Sequence, residues 1–182
     1  MNLYFRLLLV RLAALWRPRL GPWDTAITPF RVTPADLDVL AHVNNGKYLS
    51  LMDLGRIDLM LRSGLWATAR RLGWYPVVAG QTITYLKSLR LGQRFELHTR
   101  LLGFHGVWSY VHQEFRVGDA VYAHAVVRAR FLRRGGGTVP PDEVIAQAGR
   151  PPENAGVPRW VVEWSEHTKR PALRSESGEH LA

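Results

Sequence analysis

The chain predicts an α+β fold in which an antiparallel sheet wraps around one long buried helix. Three observations carry this expectation. A helix-compatible run over residues 45–62 is apolar around most of its circumference. Four strand-like segments follow, the last two joined by the tight turn Gly118-Asp119. An antiparallel sheet exposes one face unless something covers it, and the apolar helix is the natural cover.

The elements are justified in order. Met1 to Trp16 is strongly apolar but interrupted by Arg6 and Arg11, and it stops at Arg17-Pro18. Spanning a bilayer takes about 20 apolar residues. The run also lacks the leading positive charge and small-residue cleavage site of a signal peptide. It therefore reads as an interfacial membrane helix or as a helix packed on the domain. The mixture of Leu, Phe, Tyr and Trp with Arg puts the interfacial reading first. Residues 17–24 hold Pro18, Gly21 and Pro22 and form a linker. A short strand spans 26–32, and a loop over 33–43 contains Pro34 and the paired Asp36 and Asp38.

The long helix follows over 45–62. Asn44 or Asn45 caps it, and Gly64 ends it. A short helix is expected over 65–72. Strands are read over 75–86, 94–103, 107–117 and 120–132, the second alternating Phe95, Leu97, Thr99 and Leu101 against Glu96, His98 and Arg100. Gly135-Gly136-Gly137 closes the sheet, and 140–148 reads as a helix with Pro in its first turn. Beyond Gly149, Pro151, Pro152 and Pro158 break the chain. Trp160, Val161 and Trp164 suggest an amphipathic turn or two, and 170–182 reads as disordered. The expected organisation is an apolar and basic N-terminal segment over 1–23, one domain over 24–149 and a C-terminal extension over 150–182.

A net charge of +9 favours anionic partners, with a set of merely solvated arginines as the equal alternative. No zinc-finger, RNP or basic-zipper pattern is present, so nucleic acid is not an expected partner. The absence of cysteine excludes disulfides, thiolate metal sites and a cysteine nucleophile, and fits a reducing compartment. The expectation is a cytoplasmic protein with peripheral membrane contact through residues 1–16.

The segment Asp36-x-Asp38-x-x-x-His42-x-Asn44-Asn45-x-x-Tyr48-Leu49, followed by Asp53-x-x-Arg56, is the most specific pattern in the chain. It resembles the signature of the 4-hydroxybenzoyl-CoA thioesterase-like branch of the hot-dog superfamily. The resemblance covers roughly Thr28 to Leu132 and includes the Leu91-Gly92 turn. Within that branch it is most similar to the thioesterase superfamily member 6-like group, which shares the Asp-Leu-Asp start and a segment like Arg100 to Gly103.

The resemblance implies a hot-dog fold and a homodimer, often paired into a tetramer, with substrate at the subunit interface. It also implies hydrolysis of an acyl-CoA or acyl-carrier thioester. Asp38 is the carboxylate that matches the family's catalytic position, acting as nucleophile or as general base. Coenzyme A enters only as part of the substrate; no other cofactor is implied. Ala41 stands where such sequences usually carry Gly.

Elementary chemistry supports the same residue. Thioester hydrolysis needs a nucleophile or base together with positive potential for the developing oxyanion. A helix N-terminus offers free amides and the positive end of the helix dipole. Asp38 precedes that terminus by a few residues. Amides around Asn45, Gly46 and Lys47 are candidate donors, and His42, Asn44 and Tyr48 are candidate orienting groups.

Structural alternatives stand beside these roles. Asp36 reads as a loop-turning or solvated residue, Asn45 as a cap and His42 as a packed histidine. Asp53 is a possible second carboxylate, though a pair with Arg56 or a strand arginine is the preferred reading. Lys87, Arg90, Arg133 and Arg134 are candidate coenzyme A phosphate contacts or solvated edge charges. His98, His105, His112 and His124 lack metal-ligand spacing, so no metal is expected. Ser109 has no nucleophile elbow around it. Two other functions compete: a non-catalytic acyl-CoA or lipid-binding protein at a membrane surface, and a dehydratase or isomerase on the same fold.

Overall fold

The computed structural model describes residues 3–153 and 155–168. The tail over 170–182, expected to be disordered, lies outside the described residues. The elements are α1 (Leu3–Trp16), β1 (Ala26–Arg31), α2 (Asn45–Arg62), α3 (Leu65–Arg71), β2 (Trp74–Tyr85), β3 (Arg94–His105), β4 (Trp108–Val117), β5 (Ala120–Arg133), α4 (Pro141–Ala148) and α5 (Arg159–His167).

The five strands form one sheet in the order β1-β3-β4-β5-β2, and every pairing is antiparallel. The expected α+β hot-dog architecture is present: the concave face of the sheet holds α2. Inward-facing Leu97, Phe115, Ala123, Ala125 and Val127 pack with Tyr48, Leu51, Met52 and Leu54 of the helix. Removing each of the Leu, Val, Phe and Met side chains among them from water supplies about 1.5–3 kcal/mol.

The helix α2 has the bounds its sequence predicts, because both stop signals act. The Asn44 side chain accepts from the Gly46 amide at 2.9 Å, and Gly64 takes φ +79 just beyond the last turn. Its burial is narrower than its apolar pattern suggests. The fully buried positions form one face that ends in Asp58 and Arg62, and Ile57 and Met60 are only half-buried.

Close approach of α2 to β3 depends on Gly55. A Cβ there would lie 2.6 Å from Leu97 Cδ2 and 2.7 Å from Thr99 Oγ1. Beside it, Gln113 Nε2 donates to Met52 O at 3.0 Å and to Thr99 Oγ1 at 2.9 Å, which ties helix and sheet through a buried amide.

Two buried ion networks attach the N-terminal segment. Arg6, on α1, reaches Asp36 Oδ2 at 2.5 Å, with both side chains at most 5% exposed. Asp58, fully buried, accepts from Thr28 Oγ1 at 2.9 Å, Arg62 at 3.3 Å and Arg17 at 3.5 Å. Asp36 is therefore not solvated: it turns its loop and carries a buried charge pair. The helix α1 packs on α2 and buries Arg6, Val10 and Ala14, yet Tyr4, Phe5, Leu8, Leu9, Leu12, Leu15 and Trp16 remain exposed. No helix among the described residues is long and apolar enough to cross a membrane.

The outer sheet face is divided. Glu96, His98, Arg100, His112, Glu114 and His124 face outward on one half. The helix α5 covers the other half, burying Val161 and Ser165 against Leu102, Tyr110 and Val126. The expected turn or two is a nine-residue helix, closed by Thr168 and held at its last turn by Arg128. This guanidinium lies between the Trp108 and Trp164 rings, at 5.0 and 5.5 Å, and donates to Ser165 O at 2.5 Å.

Candidate functional site

The loop before α2 is a small hairpin built by its own polar side chains. Asp36 Oδ2 accepts from the Thr33 amide and hydroxyl, each at 2.8 Å, and the Asp36 carbonyl accepts from Asn44 N at 2.8 Å. Leu37 then pairs with Val43, and Asp38 N donates to His42 O at 2.9 Å. Asp38 Oδ1 accepts from Leu40 N at 2.9 Å and from His42 N at 3.3 Å. Its Oδ2 takes no hydrogen bond from the described residues. The carboxylate is half-buried, on the strand of the hairpin opposite the one that enters the helix.

At the hairpin tip Ala41 has φ +58, the only positive φ at a non-glycine among the described residues. This is the position where Gly was expected. The left-handed conformation costs an L-residue about 1–2 kcal/mol. Hairpin and helix meet at Asn44. Its side chain occupies the Gly46 amide, and its carbonyl accepts from Lys47 N at 2.8 Å. The Asn45 amide is left among the first-turn donors. Asn45 O accepts from Tyr85 OH at 3.3 Å, so Asn45 acts in the structure through its backbone.

The remaining candidates separate into groups. His42 is half-buried, and its backbone bridges to Arg90. Lys47 is half-buried in the first turn of α2. Tyr48 is a core residue, 2% exposed, edge-on to Tyr85 and Phe115, so it supports the site from beneath. Burial raises its hydroxyl pKa above the ordinary tyrosine range, with a Leu89 backbone hydrogen bond opposing. Lys87, 5.8 Å from the Tyr122 ring centroid, and Arg90 belong to the β2–β3 connection beside the hairpin. Arg133 and Arg134 sit at the other end of β5, next to Trp74. Arg133 is bound to Glu143 at 2.6 and 2.8 Å, whereas Arg134 has an exposed side chain. One chain therefore does not bring the four cations together.

Asp53 pairs with Arg56, the structural role its sequence favoured. Arg56 continues to Gln113 Oε1 at 2.7 Å, and burial lowers the guanidinium pKa, opposed by Asp53. Both residues stand at the rim of an apolar cavity of about 410 Å³ between α2 and the sheet. Leu7, Ile57, Met60, Trp66, Val78 and Phe131 are among its walls. Sequence reasoning did not find this cavity. Its one trace in the sequence is Asp53 and Arg56 set among Leu51, Met52, Leu54 and Ile57. His98, His112 and His124 share the outer sheet face, but no group of acidic or histidine side chains among the described residues is placed to hold a metal.

The thioesterase-like superfamily model matches residues 32–164, most of the chain. The chain belongs to the thioesterase-like superfamily. Protein THEM6 from Xenopus laevis is 38% identical over 150 residues, covering 81% of this chain and 71% of that protein. Protein THEM6 from Danio rerio is 37% identical over 100 residues, covering 55% of this chain and 50% of that protein. Among solved structures, the probable thioesterase YbaW from Escherichia coli superposes with a TM-score of 0.64 at 20% identity, over 68% of this chain and 95% of that one. The DHNA-CoA thioesterase from Staphylococcus aureus superposes with a TM-score of 0.58 at 15% identity, over 79% of this chain and 90% of that one. The shared element in these thioesterase-like chains is the hot-dog fold: a sheet curved around one central helix.

Proposed function

We propose that this chain hydrolyses an acyl-CoA or acyl-carrier thioester, with Asp38 as nucleophile or general base. The observation that carries the reading is the half-buried Asp38, whose Oδ2 is unbonded among the described residues, on the hairpin leading into the Asn44-capped start of α2. The loop amides fix one oxygen and leave the other for a water or a carbonyl carbon. The Asn45 amide and the helix dipole supply positive potential where an oxyanion would form.

The reading takes the working unit as a homodimer. β2 is a twelve-residue edge strand with exposed Tyr75, Val78 and Tyr85, and open edges of this kind are paired or blocked in native proteins. A two-fold antiparallel β2–β2 pair would set the Trp74 end of one protomer beside the Tyr85 end of the other. The Asp38 hairpin would then face the partner's apolar cavity, which would take the acyl chain. Arg134 of the partner would join Lys87 and Arg90 around the coenzyme A phosphates. A tetramer stacked through the outer sheet faces would have to accommodate α5. The exposed apolar face of α1 is read as touching a bilayer surface.

The test is thiol release from acyl-CoA substrates of graded chain length. Turnover by the full chain supports the proposal. A second reading, a binding protein without turnover, is favoured by the strained Ala41 and by the two loop amides on Asp38 Oδ1. Tight acyl-CoA binding with no thiol released anywhere in the panel would replace the first reading with the second.

A further inference from the structure

A second cavity, about 460 Å³, lies between α1 and β1, on the side of α1 away from the cavity described above. Its apolar wall includes Leu9 and Phe30, and four arginines line it: Arg6, Arg17, Arg31 and Arg94. Two of these charges are neutralised, Arg6 by Asp36 and Arg17 by Asp58. The other two are not. Arg31 and Arg94 are directly opposite each other in the β1–β3 ladder, and neither forms an ion pair with a described residue. Arg31 Nε donates only to the Gly92 carbonyl, at 2.9 Å. Like charges opposite each other on paired strands are destabilising. Arg6 Nε, in the same wall, is buried without a hydrogen-bond partner.

The cleft is continuous with the exposed face of α1, because Leu9 belongs to both. On that face Phe5, Leu8, Leu12, Leu15 and Trp16 are each at least 41% exposed. An apolar helix face edged by cations is the surface expected to lie in a membrane interface. A second copy of the chain on this face would bring two uncompensated arginine pairs together. A small soluble phosphate would leave the apolar face unused.

We propose that the α1–β1 cleft seats the phosphate of an acidic phospholipid while the outer face of α1 lies in the bilayer interface. The proposal rests on the reading that α1 touches a bilayer. It assigns Arg31 and Arg94 as the groups that select negative lipid.

The test is flotation of the full chain with phosphatidylcholine vesicles and with vesicles carrying about one-third phosphatidylglycerol. The acidic vesicles bind the protein and the neutral ones bind it at least tenfold more weakly. R31Q/R94Q lowers affinity for acidic vesicles about 30-fold, the loss expected when two cations leave an acidic interface. R70Q/R71Q removes the same net charge from α3 and changes affinity less than about threefold if the cleft is specific. Thermal melts establish that each variant is folded. Absence of vesicle binding overturns the proposal. Equal binding to both vesicle types, or an R31Q/R94Q effect no larger than that of R70Q/R71Q, also removes the cleft. Turnover of a soluble acyl-CoA is measured on the same samples and is expected to be equal in wild type and R31Q/R94Q. Failure of the enzyme reading therefore shows separately from failure of lipid selection.

Discussion

Replacing Asp36 by Asn strikes the point where α1, the hairpin and α2 are tied together. The Arg6 and Asp36 side chains are 5% and 3% exposed, so solvent cannot compensate either charge. Asn keeps an oxygen for the Thr33 amide but loses the charge that Arg6 needs. Breaking one partner of a buried pair costs about 3–5 kcal/mol. In a chain of this size each kcal/mol lowers Tm by about 2–4 °C, so D36N should melt about 6–20 °C below wild type. Removing both charges with apolar residues of similar volume is close to neutral in other buried pairs. R6M/D36L is therefore expected to be more stable than D36N despite carrying two substitutions. Calorimetry and urea unfolding on wild type, D36N, R6M, D36L and R6M/D36L measure this. D36N melting within about 2 °C of wild type would refute the reasoning. So would R6M/D36L losing as much stability as the two single changes added together.

Three further outcomes follow from particular contacts. G55A places a Cβ within 2.6 Å of Leu97 and should destabilise by about 1–3 kcal/mol in urea unfolding, although Ala is the better helix former. A41G relieves the φ of +58 and should raise stability by about 0.5–1 kcal/mol, read as a higher Tm. The His112 pKa is lowered, first by burial and also by Arg100 and His124, against the opposing pull of Glu114. Its contribution to stability is therefore complete above pH 6.5, the ordinary histidine value, and is lost as pH falls below it. Tm measured downward from pH 7 should fall more steeply in wild type than in H112Q.

Much of the fold was legible because its signals are local. The α2 bounds followed from Asn44 and Gly64, and strand positions followed from alternation over 94–103 and from the Gly118 turn. What was not legible depends on partners distant in sequence. Arg6 meets Asp36 across 30 residues and Arg17 meets Asp58 across 41, so neither charge announced its burial. Gly55 reads as a poor helix residue until β3 is placed against it. For the site, the motif located the Asp38 hairpin and its helix start. It did not show that Arg133 and Arg134 lie at the far end of β5, since charge alone does not say which strand end a residue reaches. About ten residues of strand, roughly 33 Å, separate Arg133 from the Tyr85 end. The α1–β1 cleft was hidden for the same reason: Arg31 and Arg94 become neighbours only through strand pairing.

The role of Asp38 is tested most directly by comparing thiol release from acyl-CoA by wild type and D38N. Asn retains an oxygen for the Leu40 and His42 amides, so the hairpin and the melting curve should be preserved. Loss of the nucleophile or base predicts that kcat/KM falls by about 10²–10⁴ in D38N. Turnover at the wild-type rate by a D38N protein with an unchanged melt would contradict the account.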